Sequence, residues 1–219
     1  MPKIAPSILA ADLSRLAEAA HALDKAKADY IHIDVMDGHF VPALTFGEQI
    51  TEAISKNTKI PLDVHLMVAT PEREVPKYFA LKPEFITFHY EATTAPIRLA
   101  NEIRKHGIKP GLALNPRTPI SALADLIASF DLILFMSIEP GYYGQKFIES
   151  SWQRLDQLKL LKERERERGH RVEIEIDGGI TDQNCREVTA KGVDILVSGS
   201  YLFQGNMIER IEILRGGKS

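Results

Sequence analysis

A parallel eight-stranded barrel wrapped by helices is the architecture this sequence predicts, and three observations predict it. Short runs rich in β-branched and aromatic residues alternate with helical patterns from end to end. Such alternation implies parallel strands joined by right-handed crossovers. Eight strand–helix units in 219 residues is the count for a closed (β/α)8 barrel at the short end of its size range. No glycine-rich dinucleotide fingerprint follows the first strand, which weighs against a doubly wound open sheet. Residues 1–219 are expected to form one domain, because 44% hydrophobic and 26% charged residues suit a single sizeable core.

The strands are expected at 3–9 (KIAPSIL), 30–36 (YIHIDVM), 61–67 (PLDVHLM) and 85–90 (FITFHY). The remaining four fall at 109–114 (KPGLAL), 132–138 (LILFMSI), 172–177 (VEIEID) and 194–199 (DILVSG). Helical spacing occupies 12–27, 46–56, 71–81, 95–106, 118–129, 151–168, 181–191 and 205–214. Asp12, Thr70 before Pro71, Thr118 before Pro119, and Thr181 or Asp182 supply start signals. Gly107, Gly169 and Gly192 supply stops. The run KERERERGHR, 162–171, reads as a solvated helix face with alternating charge partners.

Composition narrows function. A net charge of −3 with both signs interspersed gives no reason to expect nucleic acid or an anionic membrane as partner. A single cysteine, Cys185, permits no internal disulfide and favours a reducing compartment. The opening MPKIAPSILAADL lacks the pattern of a secretory signal, and no apolar run reaches membrane-spanning length. A cytoplasmic protein is the expectation.

The chemistry is carried by strands that aim polar groups at the barrel axis. Residues two apart on a strand share a face. In 30–36 the aliphatic face holds Ile31, Ile33 and Val35, and the other holds His32, Asp34 and Met36. LDVHLM repeats the pattern with Asp63, His65 and Met67, and VEIEID repeats it with Glu173, Glu175 and Asp177. The aliphatic faces belong against helices, so the polar ones point inward, near the C-terminal mouth where barrel active sites lie. Buried carboxylates must be paired or bound to metal. His32, Asp34, His65 and Asp177 form a two-nitrogen, two-oxygen set suited to one divalent cation, Zn²⁺, Fe²⁺, Mn²⁺ or Co²⁺. The plain alternative is a satisfied polar network without metal. Of the other histidines, His39 and His89 sit near strand ends and are lesser candidates.

Glycine-bearing turns follow the seventh and eighth strands, IDGGIT and VSGSYLF. Gly178, Gly179, Gly199 and Ser200 are the candidates there for cradling a phosphate with backbone N–H groups. The long segment IEPGYYGQKFIESS after strand six suits a lid that excludes water. With a sugar phosphate so placed, a metal chelating a ketone and neighbouring hydroxyl would stabilise an enediolate. Asp34 and Asp177, from separated strands, would address opposite faces of the adjacent carbon. Proton removal from one face and return to the other is epimerisation. Met36, Met67 and Met136 would line such a site or simply fill the core.

The motifs HIDVMDGHFVP, DVHLM, TFHYEAT, MSIEPGYYGQKF and IEIDGGI closely resemble those of ribulose-phosphate 3-epimerases, in the family's order, from APSILAADL to VSGSYLF. The resemblance implies a TIM barrel of the ribulose-phosphate-binding type. It also implies interconversion of D-ribulose 5-phosphate and D-xylulose 5-phosphate in the pentose phosphate pathway. One divalent metal on His32, Asp34, His65 and Asp177 is implied, with Asp34 and Asp177 as proton-transfer residues. Substrate contacts are implied for Ser7, His65, Gly141, Tyr142, Tyr143, Gly144, Asp177, Gly178, Gly179, Gly199 and Ser200, and a homo-oligomer is expected. Two positions depart from the family pattern. Ala43 stands where Asn is usual, and Tyr143 stands where a small residue is usual. Tyr143 bears on substrate choice, so a 3-epimerase of a related ketose phosphate such as D-allulose 6-phosphate is the nearest rival. Decarboxylase or aldolase relatives generally place a lysine in an Asp-x-Lys strand, and Asp34, Val35, Met36 has none. A non-catalytic sugar-phosphate-binding barrel is the third reading.

Overall fold

The computed structural model describes residues 1–142 and 144–217. Among the described residues there are eight strands: β1 Lys3–Pro6, β2 Ile31–Met36, β3 Leu62–Met67, β4 Phe85–His89, β5 Lys109–Leu114, β6 Leu132–Met136, β7 Glu173–Asp177 and β8 Ile195–Ser198. All neighbouring pairs are parallel, in the order β1-β8-β7-β6-β5-β4-β3-β2. The circle is completed between β2 and the end of β1 by a parallel bridge from Ser7 to His32. Near its base, the N–H groups of Asp29 and Tyr30 both donate to the Ile4 carbonyl, at 3.0 and 3.3 Å. The result is a TIM barrel.

The helices are α1 Leu16–Lys25, α2 Glu48–Ser55, α3 Pro71–Glu74, α4 Pro96–Lys105, α5 Ser151–Glu167, α6 Cys185–Ala190, α7 Ser200–Phe203 and α8 Met207–Leu214. The outward strand residues Ile31, Ile33, Val35, Leu62, Val64, Leu66, Ile174 and Ile176 join one core with Leu23 of α1, Ile54 of α2, Ile103 of α4 and Leu158 of α5. That burial of aliphatic faces against helices fixes which side chains turn to the axis. Ala5, Tyr30, Phe85, Leu132, Ile195 and Val197 form a separate apolar cluster. Ala113, Leu134, Met136 and Ile138 form another.

Several boundaries differ from expectation, each for a local reason. The first strand ends at Pro6, not residue 9, because Ile8–Ala10 coil into a 3₁₀ turn. The predicted helix 118–129 is two short 3₁₀ turns, Ile120–Leu123 and Ile127–Ser129. Thr118 does not cap a helix there: its hydroxyl bonds the Glu91 carboxylate. The helix expected from Thr181 begins at Cys185, with Asn184 at its N-cap. Asn184 instead ties down the turn before it, accepting from Thr181 N–H at 2.9 Å and donating to the Gly179 carbonyl at 2.9 Å. Gly107, Gly169 and Gly192 all have positive φ, as helix stops require. The charged run is mostly exposed, yet Glu165 is buried and held by Arg168 at 2.8 Å.

Candidate active site

Strand register assembles the site. His32 lies beside Asp63, Asp34 beside His65, and Met36 beside Met67 on β2 and β3. On β7, Asp177 lies beside Met136 and Val197. One ligand atom from each of His32, Asp34, His65 and Asp177 falls within 4.8 Å of the other three. Asp34 Oδ1 stands 3.4 Å from His32 Nε2 and 3.3 Å from His65 Nδ1. Donors ~2.0 Å from a tetrahedral ion stand about 3.3 Å apart, so this spacing suits ligands to a shared cation. His32 Nε2 is also buried without a hydrogen-bond partner among the described residues. The donor set and this orphaned nitrogen fit a divalent metal.

Further side chains orient those ligands. His32 Nδ1 hydrogen-bonds Asp63, leaving the Nε2 lone pair for the cluster. For His65 Nδ1 to offer its lone pair likewise, Nε2 must carry the proton. That nitrogen lies 2.8 Å from His89 Nε2, and His89 Nδ1 is 3.4 Å from Glu91 Oε2. Phe40 packs on His89, ring centroids 4.7 Å apart. Ser7 Oγ donates to Asp34 Oδ2 at 2.5 Å. Asp37, the next acid along, serves a different end: it accepts from His39, Phe40 and Ala69 N–H groups at 2.8, 2.9 and 2.8 Å. It thereby ties the loop after β2 to the one after β3. The Ala43 carbonyl braces the same loop by accepting from Gly38 at 3.0 Å.

Electrostatics separate the two inward aspartates. Burial alone would raise Asp34, but the charge of His32 and the close approach of the His32 and His65 rings prevail and hold it well below the usual carboxylate range. For Asp177, burial and the Asp34 charge push the same way, up to about 7. Burial opposes charge on His32, and is outweighed by Asp63 and Asp34, which hold it well above the ordinary histidine value. Burial, with the charges of His89 and His32, lowers His65 to about 4 against the Asp34 hydrogen bond. Glu175 is pushed up by burial and then by the Asp63 charge.

A cavity of about 330 Å³ takes in the C-terminal ends of β2, β3 and β6 to β8, lined by Asp34, Asp177, Met36, Met67 and Met136. Ser7, Gly141, Tyr142, Gly144, Gly178, Gly179, Gly199 and Ser200 also line it. His32 and His65 are fully buried and stand behind Asp34, off the cavity wall. Tyr143 lies outside the described residues.

The loop after β6 crosses the mouth: a Cβ on Gly141 would come 3.0 Å from Val41 in the loop after β2. Gln145 Nε2 pins its bend by donating to the carbonyls of Glu139 and Tyr142, at 2.7 and 2.9 Å. Gly178 and Gly179 have φ of +124° and +64°. Added Cβ atoms there would strike Ile138 and Phe147, both within the segment after β6, at 2.5 Å. Packing alone therefore demands glycine at both. Among the described residues their N–H groups make no backbone hydrogen bond, which leaves them as donors. Tyr201, Gln204 and Arg210 line the same end; Tyr201 falls within VSGSYLF without being a candidate there, and Gln204 and Arg210 carry no motif in the sequence. Only the docking of α8 brings Arg210 there.

Two acids face one cavity beside a cluster that could hold a cation, at the mouth of a parallel barrel, an arrangement able to support acid–base chemistry in an enzyme. Solved structures share the fold. A KGPDC from Streptococcus mutans has a TM-score of 0.72 at 12% identity, covering 99% of this chain and 96% of its own. A mutant tryptophan synthase α-subunit from Pyrococcus furiosus has a TM-score of 0.67 at 15% identity, covering 98% of both chains. Sequence comparison is more specific. A ribulose-phosphate 3-epimerase of Mycobacterium tuberculosis (strain ATCC 25618 / H37Rv) is 42% identical over 202 residues, 92% of this chain and 86% of that one. Another, from Bacillus subtilis (strain 168), is 40% identical over the full length of both. Residues 3–203 match the model of the ribulose-phosphate 3 epimerase family. The chain belongs to that family and is an isomerase.

Proposed function

We propose that this enzyme inverts C3 of D-ribulose 5-phosphate to give D-xylulose 5-phosphate. One observation carries the reading: Asp34 and Asp177, on β2 and β7, face the same methionine-lined cavity. His32, Asp34, His65 and Asp177 would hold a single divalent cation. When bound, that cation supplies Lewis-acid stabilisation of the negative charge that builds on the ketose oxygens as C3 loses its proton.

The protein does the rest. One carboxylate takes the C3 proton, and the other returns a proton to the opposite face, which inverts the centre. Ser7, by donating to Asp34 Oδ2, fixes the orientation of that carboxylate. Met36, Met67 and Met136 make the wall around the acids apolar, which strengthens electrostatic interactions and keeps stray water from the reacting carbon. The N–H groups of Gly178 and Gly179, with the Gly199–Ser200 turn, receive the phosphate.

The test is turnover of ribulose 5-phosphate in deuterium oxide with metal content defined. Deuterium should enter C3, and Asp34→Asn and Asp177→Asn should each lower kcat by about 10²–10⁴-fold. Full activity in either variant would refute the two-aspartate assignment. A larger kcat/KM for allulose 6-phosphate than for ribulose 5-phosphate would move the substrate to the six-carbon rival and leave the chemistry standing.

A further inference from the structure

The cavity has acids at one end and, among its described lining residues, a single cationic side chain, Arg210 of α8. We propose that Arg210 binds the substrate's phosphate and sets the preference for phosphorylated ketoses. This inference rests on the reading of the site as one for a ketose phosphate. It goes further by assigning the charge that backbone N–H groups alone do not supply.

The side chain is held in place before any ligand arrives. Its guanidinium packs over the Tyr201 ring, 4.7 Å from the centroid, and one Nη donates to the Tyr201 carbonyl. Gly205 makes room: a Cβ there would lie 2.4 Å from the guanidinium carbon. Among the described residues no carboxylate lies within ion-pair distance of Arg210, and no other arginine lines the cavity. One N–H of the fork is spent on a neutral carbonyl, and the others are free for a planar, two-point grip on an anion. Stacking on tyrosine fixes the plane of that grip. The alternative is that Arg210 merely staples α8 to α7. That reading explains the carbonyl bond and the stack, but not the place of an unpaired charge on the cavity wall.

The experiment compares wild type, Arg210→Met and Arg210→Lys, each with metal content matched. It measures KM and kcat for ribulose 5-phosphate and inhibition by inorganic phosphate. Arg210→Met should raise KM and the phosphate inhibition constant together, by about tenfold or more, with kcat within about threefold; Arg210→Lys should recover part of both. Unchanged phosphate inhibition in Arg210→Met, with only a lowered Tm, would overturn the proposal in favour of the staple. If Arg210→Met does not fold, wild type is treated with phenylglyoxal. Inorganic phosphate should then protect Arg210 from modification, and equal labelling with and without it would refute the assignment. A wild-type protein that fails to turn over ribulose 5-phosphate, yet shows phosphate protection of Arg210, would defeat the epimerase reading and leave this one intact.

Discussion

At the scale of single residues, the least conspicuous acid in the site is the most testable. Asp63 does not line the active-site cavity, but its carboxylate holds His32 Nδ1 and so fixes which nitrogen faces the cluster. Asp63→Asn keeps the shape and loses the charge. Affinity for Zn²⁺ should fall by about 10–100-fold, read by titration against a chelating competitor. Equal affinity in variant and wild type would mean that Asp63 does not orient His32. Period-two alternation was enough to aim His32, Asp34, His65 and Asp177 at the axis, because a face is a local property of a strand. Depth and neighbours are not local. His39 and His89 look alike in sequence, yet His39 is exposed and bonded to its own loop, whereas His89 is buried against His65. Arg210 was illegible for the same reason, since its place depends on how the last helix packs.

At the scale of elements, all eight strands were readable, because their aliphatic runs are bounded by turn residues and helix signals. The failures were helices whose caps had other work to do. Thr118 and Thr181 carry start-signal chemistry but spend it before the helix, Thr118 by bonding Glu91 and Thr181 by accepting from Gln183 N–H at 3.2 Å in the turn ahead of α6. The turn after β7 is tightly constrained. Ser137 Oγ lies 2.9 and 2.7 Å from the carbonyls of Asp177 and Gly178 and shares its one proton between them, and Gly178 lies against Ile138. A methyl group at Gly178 meets both the Ile138 side chain and its backbone nitrogen, at a φ of +124°. Gly178→Ala should therefore destabilise the protein by about 1–3 kcal/mol and weaken substrate binding with it. Urea denaturation and KM measured on the same preparation test this, and an unchanged midpoint would show that the segment after β6 yields freely.

At the scale of the molecule, the cluster links strands that are distant around the circle. His32 and Asp34 come from β2, His65 from β3 and Asp177 from β7. A cation bound by all four should stabilise the whole barrel by mass action. At a free metal concentration of 100 Kd the gain is about 2.7 kcal/mol, or about 5–11 °C in Tm for a chain of this size. Calorimetry with Zn²⁺ or Mn²⁺ against a chelated sample measures it, and a Tm indifferent to metal would exclude the four-residue site. The ring of strands is also unequal in its fastening. β2 and β3 match through six residues, whereas β1 meets β2 through one bridge, Ser7 to His32, and two donations to Ile4. A hoop parts where it is least riveted. Breathing of the cylinder should start along that join, so amides around 29–31 should trade hydrogen for deuterium sooner than those of β3 and β4. Because Ser7 also grips Asp34, each such excursion would slacken the carboxylate assigned to proton transfer in the proposed function. The weakest join of the wall would then set how often the chemistry is momentarily out of alignment.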